Sequence, residues 1–163
     1  MNTCSTRAAG SSLLVALLLV FGCALALAQN KQEHVHHMGA GVMPFDLAMT
    51  THIFRMTETG GVQRVLVKDT AAKDQVAMIQ QHLRHEAEAF QRGDYGDPAA
   101  LHGADMPGLK ELQAGAKRIS VAYKALPDGA EISFKTSNRH LLTAIHRWFG
   151  AQLSEHGADA RAE

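Results

Sequence analysis

Ile53-Phe54-Arg55-Met56, then Glu58-Thr59-Gly60-Gly61, then Val62-Gln63-Arg64-Val65-Leu66-Val67 is the stretch on which the fold turns. Two strand-like runs rich in β-branched and aromatic residues flank a Gly-containing turn signal, which is how a β-hairpin is written. After Lys68-Asp69-Thr70 the period changes. Val76, Ile79, Leu83, Ala87 and Phe90 recur at helical spacing, so a helix is expected from about Asp74 to Gln91, with Asp74 as cap and Gly93 as stop.

The same pattern returns later in the chain. Ile119-Ser120-Val121-Ala122-Tyr123 leads to the turn Pro127-Asp128-Gly129, and Ala130-Glu131-Ile132-Ser133-Phe134 comes back as its partner. A second helix follows from Asn138 to about Glu155, burying Leu141, Leu142, Ile145, Trp148, Phe149 and Leu153. At a spacing of 67 positions Phe54 falls on Val121, Val65 on Ile132 and Val67 on Phe134; one residue fewer puts Ile79 on Ile145 and Leu83 on Phe149. Neither helix can bury its apolar stripe alone. The expectation is an α+β two-layer sandwich: a four-stranded antiparallel sheet with two main helices on one face, built as a ββα duplication. Between the halves, 94–115 is rich in Gly, Pro and Asp, with room for one short helix over Leu109–Ala114.

Upstream of the domain, Arg7 precedes the apolar run 13–21, and Ala26-Leu27-Ala28 offers an A-x-A cleavage site before Gln29. The run is too short for a membrane span, so 1–28 reads as a signal peptide and the product as periplasmic or secreted, with no membrane span after cleavage. Lipid anchoring through Cys23 is the minor alternative. Cleavage would remove both cysteines, Cys4 and Cys23, leaving no thiolate for a metal or a nucleophile. It would also remove Arg7, leaving 15 basic against 16 acidic residues, which gives nucleic acid nothing to bind. Residues 29–44 read as a flexible His/Met-rich arm, 45–157 as a single domain and 158–163 as a disordered tail.

All ten histidines lie beyond the cleavage point. The arm carries His34-Val35-His36-His37-Met38, imidazoles with a thioether beside them, suited to copper or zinc; the same string can equally be a solvated linker. His52 opens the first strand. His82 and His85 are three apart on the first helix, with Glu86 four beyond His82; such a pair is either a shared site or a surface feature. His102, Asp105 and Met106 stand within five residues in a Gly-flanked loop, where Asp105 can cap the next helix and Met106 fill the core, or all three can face a ligand. His146 lies at the border of the apolar stripe of the second helix, and His156 at that helix's end. A G-x-S-x-G elbow, a phosphate-binding glycine loop and an H-E-x-x-H pair are all lacking, so a binding role is expected ahead of an enzymatic one.

Thr50-Thr51-His52-Ile53-Phe54, Leu101-His102-Gly103-Ala104-Asp105-Met106-Pro107-Gly108-Leu109 and Ala144-Ile145-His146-Arg147-Trp148-Phe149-Gly150-Ala151-Gln152 resemble a family of small exported bacterial proteins of unestablished function. Its members often carry the label aspartate carbamoyltransferase. That activity needs two α/β domains and a Ser-Thr-Arg-Thr-Arg phosphate loop, whereas the Ser-Thr-Arg here, Ser5-Thr6-Arg7, lies in the export signal. The resemblance implies export and a role for His52, His102 and His146. The function expected from the sequence is a periplasmic binding protein for copper or zinc, with His102, Met106 and His146 lining one site, His52 or His156 joining them, and His34, His36, His37 and Met38 capturing the ion. The alternatives are a haem or small-ligand carrier, and a partner-binding accessory protein.

Overall fold

A computed structural model describes residues 32–163; the expected export signal, with Cys4 and Cys23, lies outside the described residues. Strands β1 (Thr50–Thr57) and β2 (Gly60–Val67) pair antiparallel across the two-residue connection Glu58-Thr59, and β3 (Ser120–Leu126) and β4 (Gly129–Lys135) do the same across Pro127-Asp128. The hairpins join through β2 and β4, Val65 opposite Ala130 and Gln63 opposite Ile132. Thr57 opposite Gly60 and Leu126 opposite Gly129 relate the hairpins at a spacing of 69, not 67, so that Phe54 matches Tyr123 and Val65 matches Phe134. A shift of two leaves every side chain on its expected face, because strand periodicity is two.

The sheet has five strands, not the expected four, in the order β3-β4-β2-β1-β5. The fifth, β5 (Ala160–Ala162), runs parallel to β1, with His52 opposite Ala160 and Phe54 opposite Ala162. It lies within the segment read as a disordered tail. Ala160-Arg161-Ala162 carries no strand pattern; what recruits it is the open edge of β1, whose backbone groups need partners. Glu163 holds the end in place, its N–H donating to Phe54 O at 3.1 Å and its carboxylate meeting Arg64 Nη1 at 2.7 Å.

One face of the sheet is apolar and covered, bearing Phe54, Val65, Val67, Val121, Ala130, Ile132 and Phe134. The opposite face carries Arg55, Arg64 and Glu131, with Arg64 Nε 2.8 Å from Glu131 Oε2. Helix α2 (Lys73–Gln91) lies mainly on β3 and β4, and α5 (Arg139–His156) on β1, β2 and β5, so each helix covers the hairpin of the other half. Val76, Ile79, Leu83, Ala87 and Phe90 form the buried stripe of α2. Asp74 is not its cap: the helix starts one residue earlier, and Asp74 sits in the first turn, where a carboxylate still favours the helix dipole. Asn138 caps α5 by accepting from Leu141 N at 3.1 Å.

Two short helices fill the connection between the halves. Helix α3 (Gly96–His102) has too few residues to show a period in the sequence, and α4 (Leu109–Gly115) occupies the expected place. Its N-cap is Gly108, not Asp105; φ is +87° there, and a Cβ would overlap the Ala144 carbonyl, so α4 reaches α5 only over glycine. The segment read as a flexible arm contains helix α1 (32–39 as described), with Val35 1% exposed and Met43 and Phe45 also in the core. His36 Nε2–H donates to Asp159 Oδ2 at 2.5 Å and Gln32 Nε2 to the same oxygen at 3.2 Å, tying α1 to the chain just before β5. A single docked apolar residue per turn leaves no periodic signal in so polar a segment.

Candidate metal centre

Five elements send polar side chains into one buried space. From the covered face of β1 comes His52, 3% exposed, and from β2 comes Gln63. Helix α2 contributes His82 and Glu86, one turn apart on the same side. Helix α3 presents Asp97 in its first turn and His102 at its end, while α5 contributes Gln152 and His156, again a turn apart. The cavity between them has about 50 Å³ of space for a water-sized sphere, within a concavity of about 470 Å³ that includes its open side.

Three of the imidazoles touch. The rings of His52 and His156 stack at 4.5 Å between centroids, and His102 meets His156 edge-on at 5.1 Å. Phe45 separates His52 from His82, at 6.1 and 5.7 Å. The Nδ1–H of His102 donates to Glu155 Oε2 at 2.8 Å, which directs its Nε2 lone pair away from that carboxylate. On the opposite wall, one donor atom each from His82, Glu86 and Asp97 lie within 4.8 Å of one another.

Burial dominates the electrostatics. It lowers the proton affinity of His52 to about 3, helped by His82 and opposed by Asp159. His156 is held well below its ordinary value by burial and then by its neighbours His52 and His102. For His82 and His102 burial also lowers the value, and Asp97 and Glu155 respectively work against it. Glu86 moves the other way, up to about 8, through burial first and a hydrogen bond with Asp97 second. At neutral pH the four imidazoles are therefore uncharged, the form that ligates a metal. His52 Nδ1, His156 Nδ1, Gln63 Oε1 and Trp148 Nε1 are buried without a hydrogen-bond partner among the described residues, and all four side chains line this cavity.

No family model, curated protein or solved structure matches this chain.

Of the residues singled out in the sequence, the fold gathers His52, His82, Glu86, His102 and His156 and leaves the others elsewhere. His146 faces away from the cavity: its Nε2–H donates to Thr57 O at 3.1 Å and Gly60 O at 2.9 Å, tethering the β1–β2 turn. Met106 is core, 5% exposed, and does not line the cavity. His34, His37 and Met38 are exposed on α1, and His36 is engaged by Asp159. Asp105 is exposed and pairs with Lys110. The His82–Glu86 pair, left open between a shared site and a surface feature, lines the cavity, and Asp97 from the Gly- and Asp-rich connection meets it there. Their signal was present in the His82–Glu86 spacing and in a carboxylate placed on the edge of the apolar stripe, but Asp97 joins them only through the turn after α2. Replacing His146 by alanine is expected to lower stability by about 1 kcal/mol, the worth of its turn hydrogen bonds, and to leave metal binding unchanged. Urea unfolding and equilibrium dialysis would check the two halves of that statement separately.

Proposed function

We propose that the protein is an exported binding protein that holds one transition-metal ion, zinc or copper, in the cavity bounded by β1, β2, α2, α3 and α5. The observation that carries this reading is the meeting of four imidazoles from four separate elements around one small space, each kept unprotonated by burial. Buried polar groups are ordinarily satisfied, and two imidazole nitrogens without partners in one cavity are what a ligand site leaves behind. The size of the space supports an ion with its waters over a haem: about 50 Å³ holds a few waters and no macrocycle. Exposed His34, His37 and Met38 on α1 are suited to first capture, and His34 is near enough to help lower the proton affinity of His102 on the cavity wall. Among the described residues no helix is long and apolar enough to cross a membrane, which is compatible with an exported binding role.

Metal analysis of the purified protein after dialysis against micromolar zinc or copper tests the reading. One equivalent retained by the native protein, and lost from the triple variant His52→Ala, His82→Ala, His102→Ala, is the expected result. Retention by the triple variant would reject the cavity imidazoles as holders of the ion, and no retention by the native protein would reject the function.

A further inference from the structure

The imidazole cluster and the His82–Glu86–Asp97 wall are not equally ready to take an ion. Imidazole lone pairs lie in the ring plane, so ligand rings must turn their edges to a common point. His52 and His156 instead stack face to face with only 23° between planes, and His102 has given Nδ1 to Glu155. The wall needs less: an ion has only to displace the proton through which Glu86 and Asp97 are hydrogen-bonded. His82 and Glu86 project from consecutive turns of one rigid helix, Asp97 approaches from the first turn of α3, and their donor atoms already lie within 4.8 Å of one another. Small side-chain rotations bring one nitrogen and two oxygens to the roughly 2.0–2.2 Å at which zinc holds such ligands.

A second observation points to a ligand at the same place. His52 and His156, each 3% exposed, line the cavity onto which the three groups open, and both have an Nδ1 without a partner. A water on the ion's remaining coordination position is the kind of group these nitrogens can engage. Resting on the metal-binding reading above, we infer that His82, Glu86 and Asp97 are the protein ligands of the ion, and that this one-imidazole, two-carboxylate centre selects a divalent cation of the zinc(II) class over copper(I). His52, His102 and His156 then form its polar surroundings and position the ion's water without binding the ion. Hard oxygen donors with one imidazole suit zinc(II), manganese(II) or iron(II), whereas copper(I) favours thiolate and thioether. Met43 also lines the cavity, so a thioether is at hand and both ions have to be measured.

The test is competition of the purified protein against chromophoric chelators, once for zinc(II) and once, without oxygen, for copper(I). It compares the native chain, the isosteric Glu86→Gln/Asp97→Asn double variant and His52→Leu. Loss of ligands should cost more than loss of their supporting groups, so zinc affinity should fall by well over roughly a hundredfold in the double variant and by about ten- to a hundredfold at most in His52→Leu. X-ray absorption of the zinc-loaded native protein, which does not depend on any variant folding, should show scattering from one imidazole. Two or more imidazoles, or full zinc affinity in the double variant, would overturn the inference while leaving a metal-binding cavity. Tight copper(I) binding without zinc binding would overturn it in the same way. If the native protein binds neither ion, the function proposed above fails with it.

Discussion

Trp148→Ala is expected to cost about 3–5 kcal/mol, a large part of the roughly 5–15 kcal/mol that holds a domain of this size together. The indole is fully buried on α5 and is the hub of the aromatic core: Phe90, Tyr95, Phe134 and Phe149 all place ring centroids within 5.7 Å of it. It links α2, the segment before α3, β4 and α5, of which α2 and α5 also frame the polar cavity, and it forms part of the cavity wall. Its loss removes transfer energy, leaves a void and loosens the spacing of α2 against α5. Trp148→Phe should lose much less, since a ring remains and the Nε1–H given up has no partner among the described residues. Because Trp148 is the chain's one tryptophan, urea unfolding is best followed by circular dichroism. A loss below about 1 kcal/mol for the alanine variant would mean that the core is not centred on this residue. An ion that binds only the folded chain should recover about 2.7 kcal/mol at a hundred times its dissociation constant, which makes the same variant a sensitive reporter of binding.

The second large effect is a stability maximum close to neutral pH, set by buried groups that pull in opposite directions, His52 and Glu86 among them. His52 stays unprotonated in the folded protein down to about pH 3, whereas in the unfolded chain it takes up a proton near its ordinary 6.5. Below 6.5 protons therefore favour the unfolded chain, and stability is lost as pH falls from 6.5 towards 3. Glu86 keeps its proton in the folded protein up to about 8, while the unfolded chain releases it near 4.5. Its contribution is complete below 4.5 and is lost as pH rises through 8. At about 1.4 kcal/mol for each tenfold difference in proton affinity, either group alone contributes on the order of 5 kcal/mol across its full span; the two cancel between 4.5 and 6.5, and His156, His82 and His102, lowered in the same direction as His52, move the maximum up to about pH 6.5. Urea titrations from pH 4 to 8.5 would trace the curve. His52→Leu should flatten the acid limb and Glu86→Gln the neutral one; variant curves that run parallel to the native curve would remove these groups as its cause.

Much of the fold was legible in the sequence, and the reasons are local. Both hairpins announce themselves through β-rich runs around short turns, and both long helices through apolar stripes that the structure buries. Even the two-residue error in relating the halves did no harm, because faces alternate with a period of two. The misses also share a cause. Helix α3 is too short to be periodic, α1 docks through a single valine, and β5 is a strand only because β1 has an edge to offer. None of these carries enough local preference to stand without its partner.

The candidate site divides along the same line. Sequence by itself determined which chemistry was possible: imidazoles and carboxylates, no thiol beyond the expected cleavage point, and an i, i+4 pair at His82 and Glu86. Tertiary structure decided which of those groups meet. It brought His52, 30 residues upstream, and His156, more than 70 downstream, to the helix that carries His82, and set Asp97 opposite Glu86, while turning His146 onto a hairpin turn and sinking Met106 into the core. Residue type is a property of the chain, but coordination needs lone pairs aimed at one point. The aim is set by how α2, α3 and α5 pack on the sheet, which no spacing along the sequence records.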